Sequence, residues 1–416
     1  MDLARTVNSR RNVRLYYLFG VLMEFALWSG IWIKYLIEDR GFELKYVLLM
    51  DLPFWALVAV LQAPTGALAD HIGRKRVMAI SGVLYALTIL GFGFASNYWM
   101  LFLDYVLWSF AQSMRSGADS ALLYDTLKAD GREDEFQKIA GRGFALSLGA
   151  GLASIILGAF LAAQLGLSLV VQVSAAVPLL AVIVALVIDE PHVAHEERRY
   201  WRGLADGMSF AWKHPEVRYT LLIGSVLLAG TFAPVVLVQP FLMHHAVGTA
   251  LYGVYQAPLR LLSILAALAA VRVALRTGVG GLLVGACTTI VAAYIGLAVF
   301  DANPAFAFFA LPALMTGLTR PVIDGYLNKR IPSARRATVL SVMPLCFALQ
   351  VMLFEPALGF LTDDYSIRTA FWFAAAYFLV LMPPLLWLWH RAQGRTGDVT
   401  GEVAPGEAVM EPASGG

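Results

Sequence analysis

The sequence is poor in charged residues, in cysteine and in the short motifs of catalysis. Only 14% of its 416 residues are charged, whereas soluble domains carry about 25%, which excludes a soluble enzyme and a disordered chain. Its two cysteines, Cys287 and Cys346, are too few for a small secreted disulfide scaffold. Walker A, H-E-x-x-H and G-x-S-x-G motifs are absent, so no ATPase or hydrolase motif is present. The polar, basic start and the long first apolar run predict no cleavable signal peptide.

Hydrophobic residues dominate instead, at 59% of the chain with a mean hydropathy of +0.68. Apolar runs long enough to cross a bilayer recur from end to end. Because these runs are continuous rather than alternating, they predict membrane-spanning helices and not the strands of a barrel. The twelve predicted spans are 15–37, 46–68, 77–95, 98–121, 140–163, 168–188, 218–242, 251–273, 279–300, 304–327, 337–361 and 367–390.

The longest polar interruption divides these spans into two sets of six. The predicted parts are an N-terminal six-helix bundle (1–188), a cytoplasmic linker (189–217), a C-terminal six-helix bundle (218–391) and a cytoplasmic tail (392–416). The tail is rich in Gly, Pro, Ala and acids, which predicts disorder. Apolar residues recur at helical spacing from about Arg199 to Lys213, which predicts an amphipathic helix on the inner membrane surface.

The placement of Lys and Arg predicts the orientation of the chain. If the N-terminus is inside, most of the 31 Lys and Arg residues fall in cytoplasmic segments. The outer loops and their margins then contain only Lys34, Arg40, Lys45 and Arg368. Since an odd number of spans would destroy this separation, we predict that both termini are cytoplasmic.

A motif between spans 2 and 3 carries a family resemblance. It reads Gly66-Ala67-Leu68-Ala69-Asp70-His71-Ile72-Gly73-Arg74-Lys75-Arg76. It resembles the G-x-L-A-D-R-x-G-R-K/R loop of the major facilitator superfamily, with His71 where that family usually has Arg. The stretch from Asn328 to Ser341 is similar to stretches in bacterial members of drug-efflux type. The resemblance implies an all-α integral membrane fold of twelve transmembrane helices in two six-helix bundles, with both termini cytoplasmic.

The motif residues also have simple physical interpretations. Gly66 would let span 2 end close to a neighbour, and Gly73 permits a tight reversal. Asp70 can accept hydrogen bonds from free N–H groups at a helix start. In the resembling family, such residues and acids at the inner end of helix 4 latch the two halves together. The implied inner-gate motif is Gly66, Asp70, Gly73, Arg74, Arg115, Asp119 and Asp125. The alternative is that the basic residues only set the topology.

Two ionisable residues lie near the middle of their spans, Glu24 in span 1 and Arg260 in span 8. Such residues are costly in a membrane and normally face a cavity or a partner. The resemblance implies that both line the central cavity, one from each half. Glu24 is the candidate proton-coupling residue. Arg260 has two interpretations, as the binding group for an anionic substrate or as the fixed partner of Glu24.

Aromatic residues follow Glu24 at helical spacing, which would place Trp28 and Trp32 on its face of span 1. Such a cavity would suit hydrophobic cations, and the alternative is a stripe that packs or faces lipid. The substrate-cavity candidates are Trp28, Trp32, Tyr105, Tyr255, Gln256 and Arg260.

Other polar residues are assigned no role in transport. We expect the acids in the outer thirds of spans 2, 4 and 11 to lie in interfacial water, with a proton path as the alternative; they are Asp51, Asp104 and Glu355. His244 and His245 are adjacent but have no further ligands nearby in the sequence, so we predict neither a metal nor a cofactor.

Together these features predict a secondary transporter that works by alternating access, most directly by proton-coupled efflux of hydrophobic or cationic compounds. One alternative is a proton-coupled carrier or uniporter for an anionic or zwitterionic solute. A remote alternative is a membrane-embedded enzyme, although the ionisable groups are scattered. The expected partners are a small-molecule substrate, protons and the lipid bilayer, without nucleic acid. We expect a monomer in a bacterial cytoplasmic (inner) membrane.

Overall fold

The computed structural model describes residues 8–115, 117–191 and 200–393, without the side chains at 63, 67, 70, 200–204, 333, 334 and 337. All regular secondary structure in these ranges is helical. The predicted disordered tail lies outside the described residues from position 394 onward. We refer to 8–191 as the first half and to 200–393 as the second half.

Seventeen α-helices make up the described chain. They are α1 (Ser9–Glu24), α2 (Trp32–Lys34), α3 (Leu44–Leu49), α4 (Asp51–Ile72), α5 (Arg74–Phe94), α6 (Tyr98–Arg115), α7 (Ala118–Ala129), α8 (Phe136–Leu165), α9 (Leu167–Ser174), α10 (Ala176–Val187), α11 (Tyr200–Lys213), α12 (Pro215–His244), α13 (Tyr252–Val299), α14 (Ala310–Arg330), α15 (Ser333–Leu340), α16 (Val342–Asp364) and α17 (Ile367–Ala392). A π-helix, Tyr35–Asp39, continues α2. Single 3-10 segments precede α8, α13 and α14.

Nine helical segments of the described chain are long and apolar enough to cross a membrane. One of them, Thr249–Val299, covers the predicted spans 8 and 9. Within it Gly278 has φ 69° and ψ 162°, a conformation that glycine adopts readily, so two helices meet there. The number of twelve transmembrane helices stays a prediction.

Spans 1 and 4 were predicted to be continuous, and both predictions are wrong. Helix α1 ends at Glu24, and residues 25–31 are not α-helical before α2 begins. Helix α6 ends at Arg115, and α7 begins after Gly117, which has φ 86°. Helix α1 therefore ends at Glu24, and Arg115 lies in the last turn of α6, whereas the sequence predicts both charges inside continuous spans.

Two glutamines of the second half bind the backbone of the interrupted first span. The Gln239 carbonyl oxygen accepts hydrogen bonds from the N–H groups of Ile33 and Lys34, at 3.0 and 3.2 Å. The Gln256 amide donates to the carbonyl oxygen of Gly30 at 2.8 Å. Unpaired backbone groups are costly inside a bilayer, so these side chains stabilise the interruption.

The two halves pack closely at the end of the molecule that the charge pattern places outside. Helix α16 packs on α3 and α4, and α13 packs on α8. A Cβ atom on Gly359 would lie 2.7 Å from the Cα of Lys45, and one on Gly253 would lie 2.5 Å from the Cα of Ile156. The Lys45 ammonium also pairs with Asp364 at 2.9 Å. We name these contacts, with those of Gln239 and Gln256, the outer interface.

The linker contains the predicted helix, α11. This helix packs on α15, and its Phe210 is buried, whereas Trp212 is largely exposed. One face of α11 therefore packs against the rest of the second half, through α15.

Candidate functional site

A cavity of about 530 Å³ lies in the first half, among α1, α6, α7 and α8. It extends from Glu24, at the end of α1, towards the N-terminal end of that helix. The lining residues that bear on its chemistry are Tyr16, Glu24, Arg115, Asp119, Ser120 and Phe144. The cavity is thus charged near the middle of the molecule and has aromatic rings on its sides.

Glu24 and Arg115 form an ion pair in this cavity. The Arg115 Nη2 donates to the Glu24 Oε1 at 2.5 Å, and the two side chains are 24% and 43% exposed. Glu24 ends α1, and Arg115 lies in the last turn of α6; the partial negative charge at such a helix terminus favours a cation and disfavours a carboxylate. Arg115 therefore offsets an unfavourable position of Glu24. Asp119 is also close enough to act on Arg115.

Arg260 of α13 approaches the same place from the second half. If Gly151 carried a Cβ atom, this atom would lie 3.5 Å from the Nη1 of Arg260 and 3.6 Å from the carbonyl oxygen of Glu24. Arg260 and the backbone of Glu24 therefore lie on either side of the same glycine. The charge of Glu24 acts on Arg260, but the ion pair of Glu24 is with Arg115. The Arg260 side chain is exposed and has no ion pair or hydrogen bond among the described residues. The fixed Glu24–Arg260 pair is therefore not the arrangement in this structure.

The predicted aromatic wall beside Glu24 is wrong, because α1 ends at Glu24 and no helical face continues to Trp28 and Trp32. Trp28 is buried, with its ring centroid 5.7 Å from that of Phe92 and 5.8 Å from that of Trp108. Trp32 is partly buried against the main hydrophobic core. Both residues pack the protein interior.

The remaining cavity candidates also have structural contacts. Tyr105 is fully buried, 5.6 Å from Trp108 between ring centroids. Tyr255 packs edge-on against Phe306 at 4.7 Å, and Gln256 binds backbone as described. Of the six candidates, Arg260 alone is exposed, and it is the one that approaches Glu24.

The inner-gate candidates divide between two places. Arg74 forms an ion pair with Asp125, within the first half, whereas Arg115 and Asp119 lie at the cavity. The Asp70 side chain lies outside the described residues. No described atom lies within 4 Å of a Cβ built on Gly66, so the close packing expected there is absent from this state of the described chain.

The start of α5 is bound by a carboxylate that the sequence did not indicate. Glu190 accepts hydrogen bonds from the N–H groups of Arg74 and, at 3.3 Å, Lys75. Gly73 has φ 97°, and a Cβ atom there would lie 2.6 Å from the Glu190 carboxylate. This is the contact predicted for Asp70, an acid at a helix N-terminus, made by a residue far away in sequence. Gln239 was missed as well, although a glutamine in an apolar run beside Pro240 was a usable signal.

The acids of the outer thirds are buried, and the prediction that they lie in water is wrong. The exposed fractions of Asp51, Asp104 and Glu355 are 8%, 6% and 1%.

The histidine pair has a third neighbour that the sequence did not reveal. Asp301 lies 3.1 Å from the Nε2 of His244 and 3.8 Å from that of His245. These three groups could hold a metal ion, but Arg368 also approaches Asp301, at 4.0 Å. Because this cation competes for the same carboxylate, we assign no metal to the cluster.

A family model described as the Major Facilitator Superfamily matches residues 15–311, more than half of the chain. The chain belongs to the Major Facilitator Superfamily. It is an integral membrane transporter and not an enzyme. Members of this superfamily bind small-molecule substrates, which is consistent with the charged cavity. A search of curated proteins found no match.

Solved structures of similar fold include two transporters. A variant of the nucleoside transporter NupG is 15% identical, with a TM-score of 0.75 over 92% of this chain and 99% of the other. A bacterial homologue of the human lysosomal transporter Spinster, inward-facing and unoccupied, is 14% identical, with a TM-score of 0.73 over 94% and 98%. At these identities the likeness shows the fold of the Major Facilitator Superfamily alone.

Proposed function

We propose that the protein transports a small organic solute carrying an anionic group, alone or within a zwitterion, together with protons. Arg260 is the observation that carries this proposal. Arg260 is an exposed residue without an ion pair among the described residues, and it lies near the Glu24–Arg115 pair. Guanidinium binds carboxylate and phosphate groups through two parallel N–H bonds. An anion can therefore bind Arg260 and leave Glu24 with Arg115.

The Glu24–Arg115 pair provides a route to proton coupling. Protonation of Glu24 removes its charge and releases Arg115, which then becomes a second cation for the bound anion. A proton and an anion thus favour the same state of the cavity, and by linkage each promotes binding of the other. Coupling of this sign corresponds to movement of both in the same direction.

A second candidate is proton-coupled efflux of hydrophobic or cationic compounds. It is favoured by the 43% exposure of Glu24 in a cavity that also presents Tyr16 and Phe144. A cation would compete with the proton for Glu24, which corresponds to exchange. Arg260 opposes this candidate because its charge repels a cation at that place, and Trp28 and Trp32 are occupied in packing.

The test is a flux measurement in liposomes with a trapped pH dye and an imposed proton gradient. The panel contains organic anions, zwitterions, hydrophobic cations and, because NupG is a nucleoside transporter, nucleosides. We expect an anion or a zwitterion to trigger proton entry. The variant Arg260→Gln should raise the half-saturating concentration at least about tenfold, since one charge-assisted hydrogen bond contributes about 1.5–3 kcal/mol. Arg272→Gln, an exposed arginine on the same helix, is the matched control.

Three results would contradict the proposal. Anion-driven flux that Arg260→Gln leaves unchanged would remove Arg260 from the site. Proton movement triggered only by cations and lost in Glu24→Gln would establish the second candidate. Labelled solute crossing without proton movement would identify a uniporter.

A further inference from the structure

Two buried carboxylic side chains face each other between the halves of the chain. Asp51 begins α4 in the first half, and Glu355 lies in α16 of the second half. Helix α16 packs on α4, and the two carboxyl groups are close enough to act on each other. Their exposed fractions are 8% and 1%. Neither the cavity chemistry nor the inner-gate cluster uses this pair.

The surroundings of the pair contain acids and a phenol. The charges of both carboxyl groups act on Tyr105 of α6, as does that of the neighbouring Asp104. Among the described residues, no Lys, Arg or His acts on Asp51 or Glu355. Lys45, on the neighbouring helix α3, is held by Glu43 and Asp364 instead. In the part of the chain that the structure describes, no basic side chain therefore neutralises the pair.

No hydrogen-bond donor of the described residues satisfies the buried oxygens of this pair that lack a partner. Both oxygens of Glu355, the Oδ2 of Asp51 and the Tyr105 hydroxyl are buried and have no hydrogen-bond partner among the described residues. Two carboxylates accept hydrogen bonds but cannot donate one. Buried charges of like sign in contact are strongly unfavourable. One proton between the two carboxyl groups would supply the donor and remove the repulsion.

We propose that Asp51 and Glu355 form a proton-binding site that holds the outer interface closed. With a proton bound, an O–H donor of one side chain binds the carboxylate of the other and connects the two halves. When the proton leaves, two carboxylates repel each other across a dry contact, and the halves separate at this end. A rise in pH therefore opens the outer interface, and a fall in pH closes it. The effect on transport rests on the proposed function, but the conformational effect does not.

The helix that carries Glu355 has a bending point beside it. The next residue is Pro356, inside α16. Proline lacks the backbone N–H of a helix hydrogen bond and is a common cause of kinks. One turn further on, Gly359 touches the backbone of Lys45. Separation at the carboxyl pair can therefore extend to the end of the outer interface by bending of α16.

The experiment measures a distance across the outer interface in the absence of any solute. Spin labels are placed at Ser96→Cys in the first half and Tyr365→Cys in the second, two exposed positions. Cys287 and Cys346 are replaced by serine. Pulsed electron resonance is recorded on protein in lipid nanodiscs between about pH 5 and 9, a range around neutral in which perturbed carboxyl groups titrate. We expect the short-distance population to decrease as the pH rises.

Variants assign this change to the carboxyl pair. The double variant Asp51→Asn with Glu355→Gln keeps a donor and an acceptor without charge, so the short distance should persist at every pH. The single variant Glu355→Gln should behave in the same way, because its amide donates to Asp51, and it serves if the double variant does not fold. Asp104→Asn is the matched control: Asp104 is a buried acid that lies against Gly91 in the first half, so the pH dependence should remain.

Three outcomes would overturn the proposal. One is a distance distribution in the parent that does not change with pH. Another is an unchanged pH dependence in folded Glu355→Gln. The third is a short-distance population set by sodium concentration at constant pH, which would assign a metal cation instead of a proton. Since no solute is present, failure of the flux test leaves this measurement intact.

Discussion

The two ends of the molecule hold their helices together in different ways. At the outer interface the contacts join the two halves: Gly359 lies on Lys45, and Gln239 binds the backbone of the first half. At the opposite end, where α1 begins, the described ion pairs stay within one half. Arg74 pairs with Asp125 in the first half. In the second half, Arg330 pairs with Glu216 at 2.5 Å.

This difference separates two kinds of contact. In alternating access the two halves move against each other as units about a central site. Contacts within a half persist through that motion and determine how stable each unit is. Contacts between the halves form and break, and they determine which end is closed. In the orientation predicted from the placement of Lys and Arg, the contacts between the halves lie at the outer end, and the cavity extends towards the inner end.

The largest expected effect comes from blocking the backbone contact at Gly359. In Gly359→Leu the new side chain meets the Cα of Lys45, and backbone cannot move aside as a flexible side chain does. Overpacking costs about 1–3 kcal/mol, and the upper value would shift the closed population by about 150-fold. The distance between labels at Ser96 and Tyr365 should lengthen at all pH values, and transport should be lost.

The matched control for this variant is Gly285→Leu, a helical glycine whose Cβ position is open. It should retain both the short distance and transport. If Gly359→Leu also retained them, the contact at Gly359 would have no part in closing the outer interface.

A smaller effect is expected from removing the glutamine that binds the interrupted span. Gln239→Leu leaves the N–H groups of Ile33 and Lys34 without their acceptor. With about 1 kcal/mol for each hydrogen bond, the closed state loses about 2 kcal/mol, roughly a 30-fold change. The distance measurement and thermal unfolding in detergent both report it. Gln350→Leu, whose amide binds Ser225 inside the second half, should lower only the melting temperature. If both variants changed the Ser96–Tyr365 distance equally, contacts between the halves would not differ from contacts within a half in their effect on closure.

The family and the helical fold could be predicted from the sequence because their signals are long and redundant. Many apolar runs indicate the helical fold and the Gly66–Arg76 motif indicates the family, so neither prediction depends on a single residue. The candidate site could be predicted only in part. The structure brings the isolated charges Glu24 and Arg260 near each other, at the place where we propose the substrate site, and ionisable residues inside spans are rare.

The partners within the site could not be read from the sequence. Helix α1 ends at Glu24, and Glu24 pairs with Arg115 at this helix end. The apolar run from 15 to 37 does not indicate that the helix ends at this residue. Glu190 and Glu355 find their partners through tertiary packing over more than a hundred residues. Periodicity reports which face of one helix is apolar, but it does not report which helix packs on that face.

The smallest expected effect concerns a titration at the outer end that stays within one half. Burial lowers the pKa of His245, His244 lowers it further, and Asp301 opposes them. An unfolded histidine binds its proton near pH 6.5, whereas the folded one binds it only at lower pH. The unfolded state therefore binds more protons, and stability falls as the pH decreases through about 6.5.

The variant His245→Gln lacks this titration, so its stability should fall less as the pH decreases. Its melting temperature relative to the parent should therefore be higher at pH 5.5 than at pH 8, by about 1–2 °C. Because His245 and Asp301 both belong to the second half, the distance between Ser96 and Tyr365 should keep its pH dependence. A distance that lost its pH dependence in His245→Gln would move the proton site from the carboxyl pair to this histidine.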